Sequence, residues 1–249
     1  MAHRGILVDV TKCIGCGACV QGCQKWNEHP AHEAKRLDEQ TYTFLMDRGN
    51  DVYVRRLCMH CEQPSCASAC PVSALYKSKE GPVLYDPSKC LGCRYCMLAC
   101  PFGVPTYEWH SAVPRVRKCQ MCSHRGAAGP ACAEVCPTGA TITGDRDELL
   151  AEARKRVVGD PKAYYQWVYG AKEAGGTDVF FIGPKNPAAL GLPRVEVDGP
   201  LPDLTWNALK HVPDVVLFGG VFLGGMFWLT KRKEEVARAE HDEKGQDRG

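Results

Sequence analysis

The 249-residue sequence lacks a dominant charge: 31 Lys and Arg stand against 29 Asp and Glu, for a formal net charge of +2. With no one-sided field to offer a polyanion, it argues against nucleic acid as a partner. It also lacks an apolar stretch of signal-peptide length between Met1 and Val10, so a chain with no export signal of its own, made in reducing cytosol, is expected. No Cys-x2-Cys pair is followed directly by His, which excludes covalent haem attachment. Nor is it short of apolar residues: 45% hydrophobic and 24% charged residues exclude disorder and leave room for a proper core.

What it has in abundance is cysteine. Sixteen cysteines fall into four groups of four with none left over: Cys13, Cys16, Cys19, Cys23; Cys58, Cys61, Cys66, Cys70; Cys90, Cys93, Cys96, Cys100; and Cys119, Cys122, Cys132, Cys136. The first and third read C-x2-C-x2-C-x3-C; the second widens its middle gap to four residues and the fourth to nine. Pro71, Pro101 and Pro137 follow the last cysteine of their groups, and only the first group, with Gln24, has no proline there. Zinc would need two C-x2-C pairs per ion and has no use for a third cysteine three residues on. A disulfide framework would require crowded neighbours to find distant partners. The C-x2-C-x2-C-x3-C-P run is instead the ligand pattern of bacterial two-cluster ferredoxins, in which three thiolates wrap one cubane and the fourth reaches its neighbour. Proline after that fourth cysteine suits a first helical turn, and Gly15, Gly17, Ala18 and Gly92 leave space for tight loops.

Four intact quartets predict four 4Fe-4S clusters. The 19-residue link between groups two and three (71–89) suggests that these two exchange their fourth ligands, and that groups one and four do the same. The expected sets are therefore Cys13, Cys16, Cys19 and Cys136 (cluster 1); Cys58, Cys61, Cys66 and Cys100 (cluster 2); Cys90, Cys93, Cys96 and Cys70 (cluster 3); and Cys119, Cys122, Cys132 and Cys23 (cluster 4). No catalytic residue is indicated. Lys12, Lys89, Arg94, Arg117 and Lys118 lie beside these loops, where positive charge raises cluster potentials or docks an acidic partner, unless it is ordinary solvated surface. His60 and His124 read as structural histidines, since every ligand position is already filled.

Around the loops, Asp51-Val-Tyr-Val-Arg reads as a strand, and Ala74 to Lys77 with Gly81 to Asp86 as a hairpin; Ala140-Thr-Ile-Thr-Gly has similar alternation. Asp145 to Val158 reads as an amphipathic helix, with Asp145 and Glu148 as a capping pair, a stripe of Leu149, Leu150, Ala153 and Val157, and Gly159-Asp-Pro as its stop. Tyr164, Tyr165, Trp167 and Tyr169 form an aromatic loop for packing or docking. Val215 to Thr230 is 16 residues without a charge, about 24 Å of helix, with Trp228 at one edge and a small-residue stripe of Gly219, Gly220, Gly224 and Gly225. It reads as one membrane span beside a membrane-embedded partner. Lys231-Arg-Lys directly after it places the C-terminus in the cytoplasm and the cluster domain on the periplasmic side of the inner membrane, exported on a partner's twin-arginine signal.

The runs Cys58-Met-His-Cys-x4-Cys-x3-Cys-Pro-Val-Ser-Ala-Leu, Gly92-Cys-Arg-Tyr-Cys-Met-x-Ala-Cys-Pro-Phe-Gly-Val-Pro and Cys132-x3-Cys-Pro-Thr-Gly-Ala resemble the four-cluster iron–sulfur subunits of the dimethyl-sulfoxide-reductase type. Within them, the C-terminal span and Tyr169-Gly-x-Lys-Glu-x-Gly-Gly-Thr look most like the electron-transfer subunit of quinone-linked nickel–iron uptake hydrogenases, with the β subunit of formate dehydrogenase close behind. The resemblance implies an α+β fold, a duplicated bacterial two-cluster ferredoxin fold with insertions plus one C-terminal transmembrane helix. It implies a non-catalytic relay between a catalytic subunit (nickel–iron large and small subunits, or a molybdopterin subunit) and an integral membrane quinone-reactive or cytochrome b subunit, in contact with membrane lipid. The different-class alternative is a diffusible polyferredoxin. The expected organisation is 1–145 cluster domain, 146–210 helix and docking extension, 211–230 transmembrane helix and 231–249 charged tail.

Overall fold

Ile6, Leu7 and Val8 are apolar at consecutive positions, so a strand through them must bury both faces. In the computed structural model, which describes residues 3–246, this strand is the centre of a three-stranded sheet. In chain order the elements are β1 (Arg4–Asp9), α1 (Ala18–Trp26), β2 (Phe44–Asp47), β3 (Tyr53–Arg56), α2 (Ser65–Ser68), β4 (Leu75–Lys77), β5 (Val83–Tyr85) and α3 (Tyr95–Ala99). Then come β6 (Thr106–Tyr107), β7 (Val116–Arg117), α4 (Ala131–Glu134), β8 (Thr141–Asp145), α5 (Arg146–Gly159), β9 (Val179–Ile182), α6 (Leu201–Leu209) and α7 (Val212–Gln246). Short strands and helices alternate around the cysteine loops, giving the expected α+β ferredoxin-type fold with insertions.

β1 pairs antiparallel with β8, Ile6 opposite Thr143, and parallel with β9, Ile6 opposite Val179. The strand period of two then builds two cores. Ile6, Val8, Val179 and Phe181 face one that includes Val54, Leu57, Met59, Phe102, Val104 and Met121. Leu7, Phe180 and Ile182 face the other, where Leu149, Ala153 and Val157 of α5 cover them. Each such aliphatic or aromatic side chain contributes roughly 1.5–3 kcal/mol on burial. The α5 stripe is as the sequence predicts, and Asp145 is its N-cap, accepting from the amides of Asp147 (3.0 Å) and Glu148 (3.4 Å).

The expected hairpin is β4–β5, and the expected strand at residues 51–55 is β3, paired with β2. Thr141–Asp145 is a strand too, but its partner is β1, almost the whole cluster domain away in sequence. Residues 146–202 supply α5 and β9 to the same sheet and cores, and the first compact unit runs to Pro202.

The unit from Asp203 onward holds most of α6 and all of α7, a 35-residue helix. Helix α7 runs through Lys231-Arg-Lys to Gln246, so the tail expected as a separate segment continues the helix. Its apolar side chains are bare: Leu217, Phe218, Val221, Phe222 and Leu223 are 63–70% exposed. An added Cβ on Gly219, Gly220, Gly224 or Gly225 would meet nothing within 4 Å. Among the described residues this is the one helix long and apolar enough to cross a membrane.

Candidate metal centres

The residue before the second cysteine has a left-handed backbone in all four loops: Gly15 (φ 71°), His60 (φ 50°), Gly92 (φ 72°) and Met121 (φ 54°). This reverses the chain tightly enough for consecutive cysteines to face one space. Two loops use glycine, and there a Cβ would also collide with an aromatic ring, that of Tyr53 over Gly15 or the Tyr107 hydroxyl over Gly92. The other two hold His60 and Met121 there, both fully buried, so packing sustains a conformation that L-residues avoid.

The fourth cysteines are handled alike by the residues after them. In the three Cys-Pro turns the chain folds back so that backbone amides reach the sulfur: Ala74 N–H donates to Cys70 Sγ at 3.2 Å, Val104, Phe102 and Gly103 serve Cys100, and Thr138, Ala140 and Thr141 serve Cys136. Cys23 has no proline after it and lies inside α1, where the amide of Asn27 is spent on the Cys23 carbonyl (3.1 Å). The Asn27 side chain takes over, donating from Nδ2 toward Cys23 Sγ at 3.5 Å. Sequence reasoning missed Asn27; the absent proline was its signal, because a helix that continues needs a side-chain donor.

In the structure each fourth cysteine lies near thiols of another cysteine group. Cys13, Cys16, Cys19 and Cys136 line one space. Cys23, Cys119, Cys122 and Cys132 line a second. Cys100 lies with Cys58, Cys61 and Cys66, and Cys70 lies with Cys90, Cys93 and Cys96, close enough for each thiol to feel its neighbours' charge. The four sets also touch in sequence: Cys19 feels Cys132, Cys119 feels Cys58, and Cys66 feels Cys96. They therefore form a row whose two ends carry the exposed cysteines, Cys16 and Cys93.

A four-thiolate iron cluster is an anion, and the surroundings suit one. Arg55 is 2% exposed, lines both spaces described above and leaves Nε and Nη2 without a hydrogen-bond partner; the Thr43 hydroxyl on the second space is unpartnered too. Burial opposes the guanidinium's charge, but the thiols of Cys132, Cys19 and Cys119 outweigh it and hold its pKa above the usual value. The expected loop cations split. Lys118 is buried and donates to the carbonyls of Val83 (2.5 Å) and Cys119 (3.0 Å), whereas Lys12, Lys89, Arg94 and Arg117 reach solvent, Arg94 lying over the rings of Tyr107 and Trp109. His60 accepts from Val83 N–H through Nδ1 at 2.9 Å, and its Nε2 has no partner; His124 is exposed. Burial, then Lys118 and Lys77, keep His60 well below the usual imidazole range and so neutral.

Burial also dominates the thiols. It pushes Cys23 up to about 12, with Cys132 and Cys122 adding to it, and Cys66 likewise up to about 12, with Cys58 adding. Cys96 rises to about 11 for the same first reason, then through Cys70. Cys136 departs the other way: burial would raise it, but the amide and hydroxyl hydrogen bonds from Thr141 and Thr138 leave it lowered. In iron-free protein most of these groups hold their protons at neutral pH, and ligation must displace them. Anaerobic reconstitution with iron and sulfide is therefore expected to go further at about pH 8.5 than at about pH 7, with proton release measurable by an indicator dye. A yield independent of pH would show that the thiols are already ionised.

Comparison with known proteins agrees with this geometry. Residues 50–146 match a 4Fe-4S dicluster domain, and residues 12–75 match a second 4Fe-4S dicluster domain. The chain is similar to a protein of Nitratidesulfovibrio vulgaris, 39% identical over 96% of this chain and 70% of the relative. It is similar to the hydrogenase-2 operon protein HybA of Escherichia coli O157:H7, 34% identical over 98% of this chain and 88% of the relative. It is also similar to the formate dehydrogenase iron-sulfur subunit of Haemophilus influenzae, 32% identical over 88% and 76% respectively.

Proposed function

This chain belongs to the four-cluster iron–sulfur subunits of the dimethyl-sulfoxide-reductase type, and from that premise we propose that it carries electrons from a nickel–iron hydrogenase to a quinone-reactive subunit in the membrane. It is an electron-transfer component rather than a catalyst, and its sixteen cysteines fit four 4Fe-4S clusters, which supply outer-sphere electron transfer when bound. The observation that supports the reading is the succession of four neighbouring thiol sets, with Cys16 and Cys93 exposed in the two end sets and most of the thiols between them buried. Such a row suits passage between two partners. The ligand sets we propose are Cys13, Cys16, Cys19, Cys136; Cys23, Cys119, Cys122, Cys132; Cys58, Cys61, Cys66, Cys100; and Cys70, Cys90, Cys93, Cys96. The similarity to HybA over nearly the whole chain favours hydrogenase as the source; the formate dehydrogenase relative supports a molybdopterin subunit as the second reading.

The residues around 211–230 form the anchor in this reading. Their bare apolar surface and open glycine stripe suit lipid and a closely approaching helix. Lys231, Arg232 and Lys233 favour a cytoplasmic C-terminus and a periplasmic cluster domain at the inner membrane. Purification from native membranes in mild detergent, followed by mass spectrometry, is expected to bring along nickel–iron large and small subunits. A co-purifying molybdopterin subunit would move the source to formate dehydrogenase or a relative. Release by a high-salt wash without detergent, brown and unpartnered, would leave a diffusible polyferredoxin.

A further inference from the structure

Cysteine ligation leaves Arg55 unexplained. It lies in β3, and its Nη1 donates to Thr141 Oγ1 of β8 at 3.1 Å. Its remaining guanidinium nitrogens, Nε and Nη2, meet no protein oxygen; the Cys132 thiol is the group they reach, and no carboxylate pairs with Arg55 among the described residues. A guanidinium taken out of water without a counter-ion is strongly destabilising. It persists where something anionic faces it. Two spaces face Arg55: the one bounded by Cys13, Cys16, Cys19 and Cys136, and the one bounded by Cys23, Cys119, Cys122 and Cys132. Each would hold a cluster whose net charge is negative and becomes more so by one electron on reduction. A positive charge fixed between two such groups, where water cannot screen it, favours the reduced form of both.

We infer that Arg55 is a shared positioning residue for the two neighbouring clusters, its single charge setting their reduction potentials as a pair. Thr141 holds the guanidinium between them, leaving its two free N–H-bearing nitrogens for the cluster ligands or sulfides. The other pair, built on Cys58 to Cys100, has half-buried Lys77 and buried Lys118 nearby, but both ammonium groups are engaged with backbone carbonyls. The two halves of the duplicated fold therefore differ in how directly a cation meets the clusters.

This inference rests on the four-cluster reading, and its test separates the two. The full chain, purified with its complex as wild type, Arg55→Gln and Arg55→Lys, is followed by redox titration monitored by electron paramagnetic resonance, with iron content measured in parallel. In Arg55→Gln two of the four cluster waves are expected to move together to lower potential by about tenfold in the reduction equilibrium, about 59 mV for one electron. The other two should stay, and Arg55→Lys should restore most of the shift. Unmoved waves in an Arg55→Gln protein with full iron overturn the inference, as does movement of one wave alone or of all four. If Arg55→Gln cannot hold its iron, Arg55→Lys decides: wild-type iron and near-wild-type potentials support the charge, and an equal loss of iron overturns it in favour of packing. A wild-type protein with fewer than four waves brings down the four-cluster reading itself.

Discussion

Cys66→Ser is expected to remove one cluster and reduce quinone-linked turnover to background, while the catalytic partner keeps its activity with an artificial dye. Cys66 is buried and lies between the thiols of its own set and Cys96 of the next, in the interior of the row. A serine oxygen is a harder ligand than thiolate and a poorer match for iron–sulfur chemistry. A gap there leaves the remaining sets on either side of a break. Cys93→Ala probes an end of the row, because Cys93 is exposed and its loss opens that corner to water. Both variants should lose quinone-linked turnover, with iron content falling by one cluster. Persistence of that turnover in a protein shown to lack the cluster would sink the idea of a single wire.

Asp178→Ala is expected to cost about 3–5 kcal/mol of stability, the penalty for removing one member of a buried ion network. Asp178 is fully buried directly before β9 and binds Lys77 Nζ at 2.6 Å, His3 Nε2 at 2.9 Å and Arg146 Nε at 3.6 Å. Lys77 then donates to the carbonyls of His60 (3.0 Å) and Cys61 (2.9 Å), so the carboxylate ties the second cysteine loop to the sheet. Without it, half-buried Lys77 keeps its charge and loses its counter-ion. Asp178→Asn retains hydrogen bonding and should cost less. Denaturant midpoints of the two variants, read with the visible absorbance of the clusters, check the ranking. A midpoint for Asp178→Ala within experimental error of wild type would show that the carboxylate does not brace this loop.

The four cysteine groups are legible in the sequence because their information is local: the spacing within each group shows which cysteines share a loop, and Pro71, Pro101 and Pro137 mark where three of the fourth cysteines depart. The β4–β5 hairpin and the α5 stripe were legible for the same reason. The sheet was not. Six residues at Arg4–Asp9 carry no signal of the two partners they acquire, because β8 and β9 are selected by packing across distances no short window contains. That is also why residue 145, where the cysteine motifs have ended, reads as a boundary in the sequence although α5 and β9 share the sheet and cores of what precedes it. Arg55 was hidden more deeply. It ends an ordinary strand pattern, and its burial exists only once loops from both ends of the chain have closed over it. His60 and Met121 conceal their left-handed backbone because neither is a residue type that announces it.

In the proposed pairing the thiol sets are nested like brackets, and this gives synthesis a direction. All eight ligands of the pair built on Cys58 to Cys100 have been synthesised once residue 100 is added. Cys13, Cys16 and Cys19 wait for Cys136, and β1 waits longer still, until Val179–Ile182 can lie beside it. The first residues made are thus among the last to be locked. On that pairing assembly is expected to run from the middle outward, with the chain's N-terminal end as the clasp that closes over a half already complete.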